Sequence, residues 1–272
     1  MTATDDHCLD LARQMARHLD LPFCPPSQDP CLQAYDFALQ LGPDRLELRK
    51  LNDPQLKGAV YADFSLRSQK YGRRRKKTAS GSHGGHELLY RAIAGRKEPP
   101  AVLDLTAGLG RDSFVLAARG CRVCMVERSP ILAALIRDGL LRARSIPAVQ
   151  PIVDRLCLVE GDGRTYLEQL QGKKQDFDVI YLDPMFPQER KKSKSKKQLQ
   201  MLQQLIGPDN EGHLLLQAAR QATCRRIVVK RARKSPFLDN LEPSHQYCGR
   251  STRYDVYLDC QIVVQKSGPQ NQ

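Results

Sequence analysis

The 272-residue chain has no run of about 18 apolar residues, the length a helix needs to cross a bilayer, so nothing in it is expected to span a membrane. Its opening stretch, MTATDDHCLDLARQ, brings in acids early and lacks the uninterrupted apolar core of a signal peptide, which points to a cytoplasmic chain. No internal repeat is visible. The nine cysteines do not assemble a metal motif. Cys121 and Cys124 have CxxC spacing, but no second pair or histidine cluster completes a set. The surrounding RGCRVCMVER reads as a strand, where residues three apart face opposite sides. No metal is expected, and the cysteines are read as reduced thiols, most of them in apolar runs. Also missing are an activated serine, a Cys–His pair and a carboxylate dyad. His83 and His86 fall in a Gly-rich stretch and are read as solvated loop residues.

What is present is first of all positive charge. Hydrophobic residues at 41% and charged residues at 27% describe a globular chain, but the net charge is +13. A field of that sign gathers polyanions, and nucleic acid is the natural one. The basic residues concentrate in three clusters, Arg73–Lys77, Arg190–Lys197 and Arg225–Lys234. A charge run on its own is as well explained by a solvated face.

Periodicity divides the chain. Residues 5–19 carry Leu9, Leu11, Ala12, Met15, Ala16 and Leu19 at helical spacing. After a proline-rich turn, AYDFALQLG and RLELRKL, split by Gly42-Pro43-Asp44, predict a hairpin, and GAVYADF predicts a third strand. Residues 71–86 are basic and then rich in Gly and Ser. Residues 1–86 are therefore expected to form a small α+β unit with a linker. In residues 87–272, short apolar runs at 101–105, 122–127, 156–160, 178–182 and 226–230 alternate with helical segments at 111–118, 130–144, 164–171, 196–206 and near 212–222. That alternation predicts a parallel sheet covered on both faces. The segment HQYCGRSTRYDVYLDCQIVV predicts an antiparallel hairpin at its edge.

In such a sheet, ligands sit beyond the carboxyl ends of the strands, so the residues just after each strand are the ones to inspect. The first predicted strand leads through Asp104 into Thr106-Ala107-Gly108-Leu109-Gly110-Arg111-Asp112. Glycines 108 and 110 let backbone approach a ligand at a helix entry. The third glycine of a dinucleotide fingerprint is absent, and Asp112 stands where a pyrophosphate would be repelled, which suits a cationic ligand better and disfavours a nicotinamide-dependent oxidoreductase. The second strand ends at Glu127, whose carboxylate can accept from both hydroxyls of a ribose. The third ends near Asp162-Gly163, where an acid beside glycine could accept from an adenine amine or simply form a turn.

The fourth strand ends in Asp183-Pro184-Met185-Phe186-Pro187, and this stretch resembles the Asn/Asp-Pro-Pro-Tyr/Phe motif of amino-group methyltransferases. The chemistry fits. An exocyclic base amine is a poor nucleophile because its lone pair is delocalised into the ring. Two acceptors, the Asp183 carboxylate and the Pro184 carbonyl, can take both amine protons and stabilise the charge that grows on nitrogen. Phe186 can stack on the base, worth about 1–3 kcal/mol, and the prolines stiffen the loop. The second basic cluster follows this motif directly, and three such clusters in a chain of net charge +13 favour RNA, with Arg73, Arg74, Arg75, Lys191, Lys192, Lys194, Lys230 and Arg231 as candidate contacts.

Taken in order, LELRK (46–50), DLTAGLGRD (104–112), VER (126–128), YLDPMFP (181–187), LIGPD (205–209) and VVKR (228–231) resemble the bacterial RsmJ-type small-subunit ribosomal RNA guanine-N2 methyltransferases along nearly the whole chain. The resemblance implies a Rossmann-like class I methyltransferase fold, with a mostly parallel seven-stranded sheet and an antiparallel C-terminal hairpin. It implies S-adenosylmethionine as donor and a guanine of 16S rRNA, free or in the small subunit, as acceptor. It also implies cofactor contacts from Arg111, Asp112, Glu127, Arg128, Asp162, Gly163 and Asp183, beside Asp104, Gly108 and Gly110 of the glycine loop. Methylation of adenine N6 suits the same motif, and a catalytically silent RNA-binding assembly factor could keep the same fold.

Overall fold

A computed structural model of the chain describes residues 1–25, 32–56, 58–66, 85–95, 98–173, 175–184, 194–207 and 211–258. Two sheets organise it. The larger has seven strands: β5 (Ala101–Asp104), β6 (Arg122–Glu127), β7 (Leu156–Glu160), β8 (Val179–Leu182), β9 (Arg226–Ala232), β10 (His245–Cys248) and β11 (Thr252–Tyr257). Their order is β10-β11-β9-β8-β5-β6-β7. Strands β5 to β9 pair in parallel, whereas β11 runs antiparallel to β9 and β10 antiparallel to β11. The chain builds outward from β5 to β7, then returns to the other side of β5 for β8 and β9. The switch point therefore lies between β5 and β8, where a crevice opens at the carboxyl ends of the strands.

The strands' near-continuous apolar runs are buried on both faces. On one face Val102, Val123, Tyr181 and Val228 pack with helices α2 (Gly85–Ala94), α3 (Arg111–Ala117), α4 (Pro130–Arg144) and α5 (Gln150–Val153) through Leu89, Ile93, Phe114, Leu116, Ile136 and Val153. On the other, Leu103, Val126, Ile180 and Val229 pack with α6 (Gly163–Gln169) and α8 (Gly212–Arg220) through Leu167, Leu216 and Ala219. Each fully buried aliphatic or aromatic side chain contributes about 1.5–3 kcal/mol. Helix α4 starts where expected: Ser129 Oγ accepts from the Leu132 amide at 3.4 Å and Pro130 occupies the first turn.

The N-terminal region forms the second sheet, β1 (Thr2–Ala3), β2 (Phe37–Leu41), β3 (Leu46–Lys50) and β4 (Ala59–Val60), with helix α1 (Leu9–His18). The predicted hairpin is β2–β3, with Leu39 opposite Leu48. Its core is shared rather than its own. Ala12, Leu46 and Leu48 belong to one buried cluster with Leu109, Leu132 and Leu135 of the larger fold and Met201 and Leu202 of α7 (Lys194–Ile206). Gly139 on α4 is a point of close approach: a Cβ there would sit 2.9 Å from both Cβ and carbonyl oxygen of Ala62.

Two expectations need correction. Cys24 is disulfide-bonded, so the cysteines are not uniformly reduced, and Cys157 and Cys248 are exposed rather than in the core. His86 lies in the first turn of α2, half-buried, not in a solvated loop; His83 falls outside the described residues. Cys121 and Cys124 do face opposite sides, one in each core cluster. Among the described residues no helix is long and apolar enough to cross a membrane.

Candidate active site

A cavity of about 300 Å³ opens at the switch point, at the lower end of the range for small-molecule sites. It gathers the ends of four neighbouring strands. The β5–α3 loop contributes Thr106, Gly108, Arg111 and Asp112; β6 ends in Glu127 and Arg128; the β7–α6 turn brings Asp162 and Gly163; and β8 delivers Asp183. Leu199, Leu202 and Ile206 of α7 and Leu215 of α8 close it with apolar surface.

The loop is held by the acid opposite it. Glu127 accepts from the Gly108 amide at 2.7 Å through one carboxylate oxygen and from the Ser129 amide at 2.8 Å through the other. Gly108 has φ +60 and Gly110 φ +69, a region in which a side chain is strained. Burial raises the Glu127 carboxyl, and the two amides work against that rise. Asp162 caps α6, accepting from the Arg164 and Thr165 amides at 2.9 and 3.2 Å. Gly163 next to it is closely packed: a Cβ would lie 3.1 Å from Leu215 and 3.2 Å from Leu105, which would have to give way slightly. Arg111 reaches Gln198 of α7 at 2.8 Å, and Arg164 reaches Glu211 at 3.2 Å, so polar pairs rim the cavity.

At the other end lies a compact charged network. Lys230 Nζ, rising from β9, donates to Asp112 Oδ2 and to Asp183 Oδ2, each at 2.7 Å. Tyr181 Oη donates to Asp112 Oδ2 at 2.6 Å. The Asp183 amide donates to Thr106 Oγ1 at 2.6 Å, which ties the end of β8 to the glycine loop. Burial works to raise both carboxyls. At Asp112 the lysine overrides it and holds the group below the usual carboxylate range, whereas at Asp183 burial prevails and the carboxyl stays raised. Pro184 is buried, its ring against Gly212, where a Cβ would lie 3.0 Å away.

Glu127, Asp112, Asp183, Gly108, Arg111, Arg128, Asp162 and Gly163 thus converge as the sequence predicts. Asp104 does not. It is 1% exposed and lies beneath the cavity wall, accepting from the Thr106 amide at 3.1 Å and from Ser113 Oγ. As the last residue of β5 its side chain turns into the sheet, so its work is to brace the loop. Gly110 likewise faces the core: a Cβ there would meet Phe64 at 2.9 Å. Lys230, expected among phosphate contacts, is committed to the two carboxylates, and Arg231 is 4% exposed and donates to the Pro236 carbonyl at 2.8 Å. Phe186, Arg73, Arg74, Arg75, Lys191 and Lys192 lie outside the described residues, as does the side chain of Lys194. Thr106, Tyr181 and the α7 leucines were missed. Only Thr106, inside DLTAGLGRD, carried a signal in its position.

Comparison with known proteins agrees with this geometry. The family model for SAM-dependent methyltransferases matches residues 28–259. A protein of Aeromonas salmonicida named ribosomal RNA small subunit methyltransferase J is 43% identical over 82% of this chain and 86% of its own. One of the same name from Chromobacterium violaceum is 41% identical over 95% and 97%. Among solved structures, a SAM-dependent methyltransferase of Neisseria gonorrhoeae superposes with a TM-score of 0.70 at 32% identity, covering 95% of each chain.

Proposed function

The chain belongs to the ribosomal RNA small subunit methyltransferase J family of SAM-dependent methyltransferases, and from that premise we propose that it methylates the exocyclic N2 of a guanine in 16S ribosomal RNA. The observation that carries the proposal is the meeting of Asp183, Asp112 and Glu127 on one cavity at the ends of adjacent parallel strands.

The residues present fit S-adenosylmethionine. Glu127 keeps a lone pair on each carboxylate oxygen beyond its two backbone contacts, enough to accept from ribose hydroxyls. Asp112, held ionised by Lys230, suits a cationic amine. Asp162 and Gly163 offer an acceptor beside a closely packed glycine floor, with Arg111 and Arg128 at the rim. When bound, S-adenosylmethionine supplies an electrophilic methyl group on a positively charged sulfur.

The rest is the chain's own work. Asp183 and the Pro184 carbonyl accept from the two protons of the guanine amine, drawing its nitrogen toward tetrahedral geometry and opposing the positive charge that develops during attack. The Thr106–Asp183 bond fixes that acceptor before substrate arrives, so little reorganisation is left for the reaction. Phe186 stacks on the extruded base. Arg73, Arg74, Arg75, Lys191, Lys192 and Lys194 bind backbone phosphates and orient the RNA without reading its sequence. Asp183→Ala tests the reading: transfer from labelled S-adenosylmethionine should fall by at least about 10²-fold, with RNA affinity nearly unchanged. Turnover retained at the native rate removes Asp183 from this role.

A further inference from the structure

Two carboxylates line the cavity, and both rest on a single ammonium. Lys230 Nζ lies 2.7 Å from Oδ2 of Asp112 and 2.7 Å from Oδ2 of Asp183, in the wall of one cavity. Tyr181 Oη adds a third contact on the Asp112 oxygen. Among the described residues, no protein donor reaches Oδ1 of either aspartate. All three charged side chains keep some exposure, 27% for Lys230, 22% for Asp112 and 38% for Asp183, and all three line the cavity. The lysine is therefore not a surface charge available to phosphate.

We propose that Lys230 is a positioning residue for methyl transfer, clamping Oδ2 of both aspartates so that each presents one oxygen to a ligand, Asp112 to the methionine end of the donor and Asp183 to the base amine. The proposal rests on the reading of Asp183 as the amine's acceptor. Its physical content is twofold. A single nitrogen bonded to both acids fixes the distance between the donor's anchor and the acceptor's anchor, which positioning catalysis requires to a fraction of an ångström. Lys230 also offsets part of the repulsion between the two carboxylates, so that Asp112 can meet the donor's amine while Asp183 stays ionised opposite the positive charge that grows on the attacking nitrogen. An uncompensated acid pair would instead bind a proton.

The charged and titratable groups around the pair come from several elements: Asp104 on β5, Asp112 and His86 on α3 and α2, Tyr181 on β8 and Tyr254 on β11. Lys230 is the group that most strongly holds Asp183 down against burial, whereas Asp112 pushes it up. The acid limb of the rate profile should therefore report on it.

The test compares Lys230→Met and Lys230→Arg with Asp183→Ala, reading kcat against pH, S-adenosylhomocysteine affinity by calorimetry, and thermal midpoints. In K230M the acid limb of kcat should move to higher pH by about one to three units, the size of the effect an opposite charge exerts on a neighbouring carboxyl. Cofactor affinity should fall about 10-fold through Asp112. K230R, which keeps the charge, should keep the native acid limb with an intermediate kcat. A lysine that merely stabilises the fold would lower the midpoint and leave the limb in place. A folded K230M with native acid limb and native cofactor affinity overturns the proposal. Should K230M not fold, a displaced acid limb in K230R overturns it equally. If D183A turns over like the native enzyme, the acceptor reading itself fails, whereas an inactive D183A beside an unmoved K230M limb refutes the clamp alone.

Discussion

Asp104 is buried beneath the glycine loop, and among the described residues no cation pairs with it. Its oxygens accept from the Thr106 amide at 3.1 Å and from Ser113 Oγ, yet burial outweighs both and lifts its pKa from 3.8 to about 7, with Asp112 and Asp183 adding to the rise. A group whose folded pKa exceeds its unfolded value contributes fully below the unfolded one and loses that contribution as pH climbs through the folded one. For Asp104 the window runs from 3.8 to about 7. At about 1.4 kcal/mol per pH unit, the roughly two units between pH 5 and the folded value cost about 3 kcal/mol of stability by pH 8. Asp104→Asn keeps the shape, lets the amide oxygen accept from Thr106 and its nitrogen donate to Ser113, and cannot ionise. Urea unfolding followed by circular dichroism at constant ionic strength, from pH 5 to pH 8, should show the native protein losing about 3 kcal/mol that the variant keeps. At pH 8 the variant should melt about 6–12 °C higher. Parallel pH curves for the two proteins, or a less stable variant at pH 8, refute the argument that this acid is paid for by the fold.

Glu127 and Cys157 supply further predictions. Glu127→Gln must turn its amide nitrogen toward either the Gly108 or the Ser129 amide, so one of the bonds at 2.7 and 2.8 Å becomes a donor–donor clash. Loss of one charge-assisted bond corresponds to about 10–100-fold in affinity, so calorimetry with S-adenosylhomocysteine should show that drop; an unchanged affinity would exclude Glu127 from the cofactor site. Cys157, exposed on the edge strand β7 and in register with Cys124 of β6, has its pKa lowered to about 7 by a hydrogen bond from Cys124, against the opposing effect of burial. It should be alkylated by iodoacetamide at pH 7 well before Cys121, which burial raises to about 11. Cys124→Ala should slow that reaction, and equal rates with and without Cys124 would dismiss the hydrogen bond as its cause.

Much of the parallel fold was legible because its strands are apolar on both faces and end in acids: Val179–Leu182 followed by Asp183, and Arg122–Glu127 closing on Glu127, announce themselves by composition alone. The two-residue strand β1 carries no period and could not be read, whereas GAVYADF did mark the place of β4, though the strand spans only Ala59–Val60 of it. The shared core that joins Leu46 and Leu48 to Leu132 and Met201 was hidden too, since periodicity shows which face is apolar but not what covers it. Charge counting failed at Lys230 and Arg231 for a related reason. Adjacent strand residues point to opposite faces, so one lysine of VVKR enters the site while its arginine neighbour is buried on the other side. Asp104 was misplaced because a strand's last residue can turn inward as readily as outward; only the contact with Ser113, nine positions later in α3, decides it.

The proposed reaction requires Asp183 and its neighbours to present an amine nitrogen of guanine to the donor. The direct measurement incubates the full-length protein with isotopically labelled S-adenosylmethionine and unmodified 16S rRNA, free and in 30S particles, and identifies the labelled nucleoside by mass spectrometry after complete digestion. The account predicts N2-methylguanosine, with no label in RNA treated with the Asp183→Ala protein. Label recovered in N6-methyladenosine, or no label in either substrate from a protein that binds the donor, would contradict it.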